Sequence, residues 1–194
     1  MVVLASASPR RLELLRSAGF TPLVDPADLD ETPDPSLSAE ADALRLARGK
    51  AELVAARHPQ AMVLGADTIV VVDGAVLGKP RDAAMAEAML RRLSDRGHYV
   101  VTAVHLVPPR RRAWPAVSLT VSTAVVFRRL EEVDVAGYVA SGDWEGKAGA
   151  YAIQGLAAGF VRAIMGSYTN VVGLPLAEVV EELRRRVALP GAAA

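Results

Sequence analysis

Cysteine is absent from the 194-residue sequence, which removes disulfides and thiolate metal sites and fits a reducing compartment. Net charge is absent as well. Twenty-two Lys and Arg balance twenty-two Asp and Glu, so no global field draws the chain to nucleic acid or membrane, and any anion site has to be local. Long apolar runs are missing too: the most hydrophobic stretch, "AMVLGADTIVVVDGAVLG", is broken by Asp67, Asp73 and three glycines. The opening "MVVLASAS" lacks a basic n-region and its apolar core is too short for a secretory signal, so a cytoplasmic protein is expected.

Several chemistries lack their signatures. There is no HExxH, no GxSxG and no cysteine/histidine cluster, and the scattered His58, His98 and His105 read as structural or exposed. "GAVLGKP" imitates a P-loop, but its first glycine is one residue too close to the second. Pro80 also stands where a magnesium-binding hydroxyl belongs, so an ATPase is rejected. "PPRRRAW", the one basic run, reads as a solvated hairpin tip rather than a nucleic-acid surface.

What remains is an ordinary globular composition, 52% hydrophobic and 23% charged, with helices interleaved among hairpins. Val2–Ala5 reads as a short buried strand. Helix 1 follows from about Pro9 to Ala18, with Ser8 as N-cap, Pro9 at the first helical position and Gly19 past the end. Ser38 caps a helix over about Ala39 to Arg57, with Lys50 at the edge of its apolar stripe. "MVLGADTIVVV" is a strand leading into Asp73-Gly74, the favoured pair for a two-residue hairpin turn. A helix from about Asp82 to Leu93 precedes two strands, "YVVTAVHLV" and "AVSLTVSTAVVF", the second alternating so that one face is wet. Further helices are expected around Leu130–Ala140 and from Pro175 onward with Val187 in its stripe, ahead of a frayed tail. The fold class expected is α/β with a mixed sheet.

Two stretches carry chemistry. In "SASPRRLELL" the first turn of a helix, already electropositive, bears Arg10 and Arg11 beside the capping hydroxyl of Ser8. That is an anion site if partners converge, and otherwise a pair of solvated arginines. In "GADTIVVVDGAVLGKP" Asp67 lies inside an apolar strand, where a carboxylate is costly unless paired, metal-bound or at an open strand end. With Asp73-Gly74 as the loop, Val72 faces Ala75 and Thr68 falls across from Lys79; a bulge at Gly78 brings Lys79 into phase with Asp67 instead. A structural salt bridge accounts for that pair equally well. Ser8, Arg10, Arg11, Lys50 and Lys79 together are donors suited to a polyphosphate, while Glu31 and Asp67 suit a divalent metal.

In order, "SASPRR", "DLDET", "RLARGKA", "LGADTIVV", "GKP", "KAGAYAIQG" and "GSYTNVVGLPL" resemble the signature stretches of the Maf family of nucleoside triphosphate pyrophosphatases, from Leu4 to about Leu183. The resemblance implies a fold similar to that of the inosine triphosphate pyrophosphatases, a mixed twisted sheet flanked by helices with two lobes around a cleft. It implies a single domain over residues 1–189 with a flexible tail at 190–194, and a homodimer. The implied reaction converts a nucleoside triphosphate to monophosphate and pyrophosphate with Mg or Mn. Arg-Arg after "SASP" and the glutamine of "YAIQG" resemble the dTTP/UTP subgroup, modified pyrimidine nucleotides included, rather than the 7-methyl-GTP group. By matching motif, Asp67 takes the general-base position, Ser8, Glu31, Lys50 and Lys79 the catalytic and phosphate-binding positions, Arg10, Thr68 and Gln154 the specificity positions, and Arg11 a further phosphate-side position. Asp143, Gly146 and Asp95 depart from the family pattern, where glutamate, aspartate and glycine are usual. The alternatives are a 7-methyl-GTP or other modified-nucleotide pyrophosphatase, and a non-catalytic nucleotide-binding regulator of septation or division.

Overall fold

Strand β1 (Val2–Leu4) is completely buried, and both of its faces are covered. Val2 and Leu4 join Met62, Leu64, Leu15, Leu174, Val179 and Leu183 in one apolar cluster. Val3 joins Ala5, Ala51, Val54 and Val63 in a second. Side chains alternate across a strand, so a run that is apolar at every position needs cover on both sides, as parallel strands have. A computed structural model supplies this description, and residues 1–186 are the ones described. Val187 and the tail expected at 190–194 lie outside them.

The remaining elements follow in order. Helix α1 (Pro9–Ser17) leads to β2 (Leu23–Val24), α2 (Ala39–Arg57), β3 (Met62–Val72) and β4 (Ala75–Leu77). Then come α3 (Ala83–Leu93), β5 (Gly97–Val107), β6 (Val117–Phe127), α4 (Glu132–Ser141), β7 (Val161–Met165), α5 (Tyr168–Val172) and α6 (Leu176–Arg186). The seven strands form one sheet in the order β2-β1-β3-β5-β6-β7, with β4 pairing β3 off that path. β1 is parallel to β2 and β3, whereas β3–β4 and β6–β7 are antiparallel, so the sheet is mixed as expected. No helix among the described residues is long and apolar enough to cross a membrane.

Helix starts follow the capping chemistry legible in the sequence. Ser8 Oγ accepts from Arg11 N, Ser38 Oγ from Ala41 N and Asp82 Oδ1 from Met85 N, each satisfying an amide with no intrahelical partner. Gly19, at φ 87°, ends the first helix as the sequence required. Helix α4 begins at Glu132 rather than Leu130, because Asp134 accepts from the Glu131 amide at 2.8 Å and fixes the cap there. β2, β7 and α5 were not read from the sequence.

By contacts the chain divides into two compact units. Of the described residues, the first comprises 1–67, 102–121 and 173–186; the second comprises 68–101 and 122–172. In the second, Asp73 (φ 49°) and Gly74 (φ 72°) both take positive φ, the mark of a type I′ hairpin turn. The register is the expected one, Val72 opposite Ala75. The ladder stops at Val70–Leu77, however, so neither the Thr68–Lys79 pairing nor a bulge continuing the strand to Lys79 forms. Gly78 turns its carbonyl to the amide of Gly149 instead, at 3.1 Å.

Candidate active site

In the first unit, the site is assembled where α2 lies against the first half of β3. Gly65 makes this possible. A Cβ there would stand 2.3 Å from the Ala47 carbonyl oxygen and 2.7 Å from the Ala51 amide, so helix and strand touch backbone to backbone. Lys50 lies between those two alanines and Asp67 two residues beyond Gly65, so the close approach brings ammonium and carboxylate together. Lys50 Nζ is 2.7 Å from Asp67 Oδ1 and 2.8 Å from Glu31 Oε1. Lys50 is 7% exposed and Asp67 9%, so each charge is removed from water in the presence of its partner. Glu31 comes from the acidic loop and remains exposed, its side chain 43% accessible.

Lys50, from the helix packed on the strand, is a bonded partner of the costly Asp67. The neighbouring backbone is held by Arg11. Its Nε donates to Gly173 O at 2.8 Å, and its Nη1 donates to Ala66 O at 2.9 Å and to Ser6 Oγ at 3.0 Å. Arg11 thereby ties the start of α1 to the residue preceding Asp67. Burial pulls the Arg11 pKa below its ordinary value; Asp67 opposes this, Arg10 adds to it, and Glu31 opposes it. The first turn of α1 contains no acid, so compensation for its two arginines comes from elsewhere in the fold.

Ser8 and Arg10 stand half-buried at that helix start. Ser8 Oγ accepts from an amide, which leaves its own proton to donate. Among the described residues no group of three or more His, Cys, Asp and Glu could hold a metal. The pair Glu31 and Asp67 nonetheless offers oxygen donors on one ammonium. That suits a hard cation held by one or two carboxylates and completed by water and phosphate.

The second unit carries Thr68, half-buried, and Lys79, exposed. It also carries Gln154, exposed at the tip of a turn closed by Gly155 N donating to Ala152 O at 3.0 Å. Tyr151 is core rather than surface: it is 6% exposed, and its ring meets His98 and Phe127 edge-on at 5.4 and 4.9 Å. His98 is structural, as expected, with Nε2 2.8 Å from Tyr151 Oη. Two residues that organise these sites were not singled out in the sequence. Ser6 is a small residue in a serine-alanine run, and Tyr138 an aromatic on a helix; nothing in sequence spacing distinguishes either from filler.

A family model described as Maf-like protein matches residues 1–186. The chain belongs to the Maf family. It is 51% identical over 184 residues to the dTTP/UTP pyrophosphatase of Paramagnetospirillum magneticum, covering 94% of this chain and 95% of that protein. To the dTTP/UTP pyrophosphatase of Geobacter sulfurreducens it is 52% identical over 188 residues, 97% of each chain. The enzyme of that name from Caulobacter vibrioides is 51% identical over 183 residues, 94% of this chain and 93% of the relative. Among solved structures, a HAM1 protein from Coxiella burnetii aligns at a TM-score of 0.49 with 18% identity, over 95% of this chain and 98% of that one.

Proposed function

We propose that this Maf protein hydrolyses dTTP and UTP to the monophosphate and pyrophosphate, by attack of water on the α-phosphorus. The observation that carries the reading is the Lys50 ammonium bonded at once to Asp67 and Glu31 on the backbone-packed α2–β3 junction. Names borne by relatives about half identical over nearly the full chain support the substrate.

In this reading Asp67 takes the water's proton. Its Oδ1 is held by Lys50, which fixes the plane of the carboxylate and leaves Oδ2 as the accepting oxygen. Lys50, Lys79, Arg10 and the Ser8 hydroxyl meet the negative oxygens of the triphosphate and the pyrophosphate that departs. Arg11 holds the stretch of β3 that carries Asp67 through its Nε and Nη1 protons, which go to Gly173, Ala66 and Ser6, beside the phosphate-side position that the family resemblance gives it. A Mg or Mn ion held by Glu31 and Asp67 with substrate oxygens would supply charge neutralisation and lower the pKa of water toward roughly 7 in favourable cases. Gln154 presents both an acceptor and donors, matching the imide edge of uracil and thymine, with Thr68 as a second specificity residue. The family resemblance adds a homodimer in the cytoplasm, the dimer checked by sedimentation.

Hydrolysis of UTP with Mg in 18O-water, read by 31P NMR and mass spectrometry, tests the reaction. The label belongs in UMP, with unlabelled pyrophosphate as the other product. Labelled pyrophosphate, or release of orthophosphate first, contradicts attack at the α-phosphorus. A panel including CTP, dGTP and 7-methyl-GTP tests the preference; a 7-methyl-GTP optimum overturns it.

A further inference from the structure

Gln154 is exposed, yet the five residues before it in sequence are buried. Gly149 to Ile153 are all buried, and in the turn Ala152–Gly155 the side chain of Ile153 is 5% exposed while that of its neighbour Gln154 faces outward. A two-residue tip that presses one side chain into the core fixes where the other points. Tyr138, on α4, is 2% exposed. Its hydroxyl accepts from Ala152 N at 3.1 Å, the first residue of that turn, and donates to Asp143 O at 3.4 Å. Asp143 closes the far side: its Oδ2 lies 3.5 Å from Leu156 N, and a Cβ on Gly155 would stand 2.8 Å from the same oxygen.

The approach to the turn is held as firmly. Gly149 (φ 68°) packs on Val70, where a Cβ would meet Cγ2 at 2.9 Å, and its amide bonds to Gly78 O. Ala150 takes φ 61°, which a side-chain-bearing residue adopts only when its surroundings impose it. Tyr151 then anchors through its hydroxyl on His98, 2.8 Å away. Tyr138 thus bonds to the turn itself, and Tyr151 to the segment just before it.

We propose that the Tyr138 hydroxyl, seconded by the Tyr151–His98 pair, is the positioning element that aims Gln154 and so sets the discrimination of uracil and thymine from other bases. This rests on the reading of Gln154 as the residue that meets the base. Neither tyrosine touches substrate in this account; both act through the turn. Asp143, where the family pattern has glutamate, belongs to the same clamp: its short side chain reaches the Leu156 amide beside a glycine.

The test is the ratio of kcat/KM for UTP to that for CTP, in wild type, Y138F, Q154A and the double variant, with folding followed by thermal melting. Y138F removes the hydroxyl and keeps the ring. It is expected to lower the ratio roughly three- to tenfold, the worth of about one hydrogen bond, mainly through a higher KM for UTP. In the Q154A background the same substitution is expected to leave the ratio unchanged, because its effect travels through Gln154. A Y138F that slows UTP and CTP alike, or that still lowers the ratio without Gln154, overturns the positioning role. A Q154A with the wild-type ratio overturns the base reading itself and the positioning role with it. Should Y138F fail to fold, Y151F enters the same cycle with the same expected results.

Discussion

Around Asp67 the first unit gathers opposite charges in ion pairs, whereas around Gln154 the second unit brings one carboxylate, Asp143, which accepts from a backbone amide. At the α2–β3 junction one ammonium serves two carboxylates, and a buried guanidinium binds two carbonyls and a hydroxyl within reach of their field. At the Ala152–Gly155 turn, phenols, a histidine, backbone amides and a single carboxylate beside a glycine do the holding. The contrast follows the two ends of the substrate proposed. A triphosphate and its metal demand charge, which must be compensated wherever it is buried. A pyrimidine edge is neutral and is told from another by where donors and acceptors point, so its site needs stiffness more than field.

Removing Lys50 should therefore hurt most. Lys50→Met leaves Asp67 buried without its cation, at a cost of about 3–5 kcal/mol, with turnover lost alongside; urea unfolding and a pyrophosphate-release assay measure both. Gly65→Ala attacks the same site through the backbone. Its Cβ has no room against Ala47 O, so stability should fall by about 1–3 kcal/mol and activity with it. Calorimetry on this variant checks that the site depends on helix and strand touching directly.

In the second unit the expected effect comes from the titration of a buried imidazole. Burial holds the His98 pKa down to about 4, below its ordinary 6.5. As pH falls below 6.5 the unfolded chain binds a proton there while the folded chain waits until about 4. The stability conferred is complete above pH 6.5 and lost progressively toward pH 4, by about 3 kcal/mol at most. His98→Phe should flatten that slope relative to wild type in melts between pH 4 and 7; an unchanged slope contradicts the burial of a neutral imidazole. Smallest in stability is Glu31→Gln, under about 1 kcal/mol because Glu31 is exposed, but it should raise the Mg concentration needed for half-maximal activity.

The sequence announced local features and was silent on distant ones. Ser8 and Ser38 were legible as caps because the amide each satisfies lies three residues away, whereas Asp82, expected as the first helical residue, turns out to be the cap of α3. Asp73-Gly74 was legible because positive φ at both positions selects those residues. Asp67 could be recognised as an expensive carboxylate, but Lys50 as a bonded partner could not. Lys50 is seventeen positions upstream and reaches it only because Gly65 lets two backbones touch. Nothing in sequence spacing told that carbonyls at positions 66 and 173 would accept from Arg11. β7 escaped notice because Arg162 interrupts its apolar pattern and most of the strand is not buried, and β2 because two residues carry no period.

Asp67→Asn decides the central claim. The amide keeps the shape and can still accept from Lys50, while Glu31 remains a charged partner for that ammonium, so the fold should survive. With UTP and Mg the account predicts a melting temperature within a few degrees of wild type and a loss of pyrophosphate release of about 10²- to 10⁴-fold, the range of a lost general base. A folded Asp67→Asn protein that turns over UTP at near the wild-type rate would contradict it.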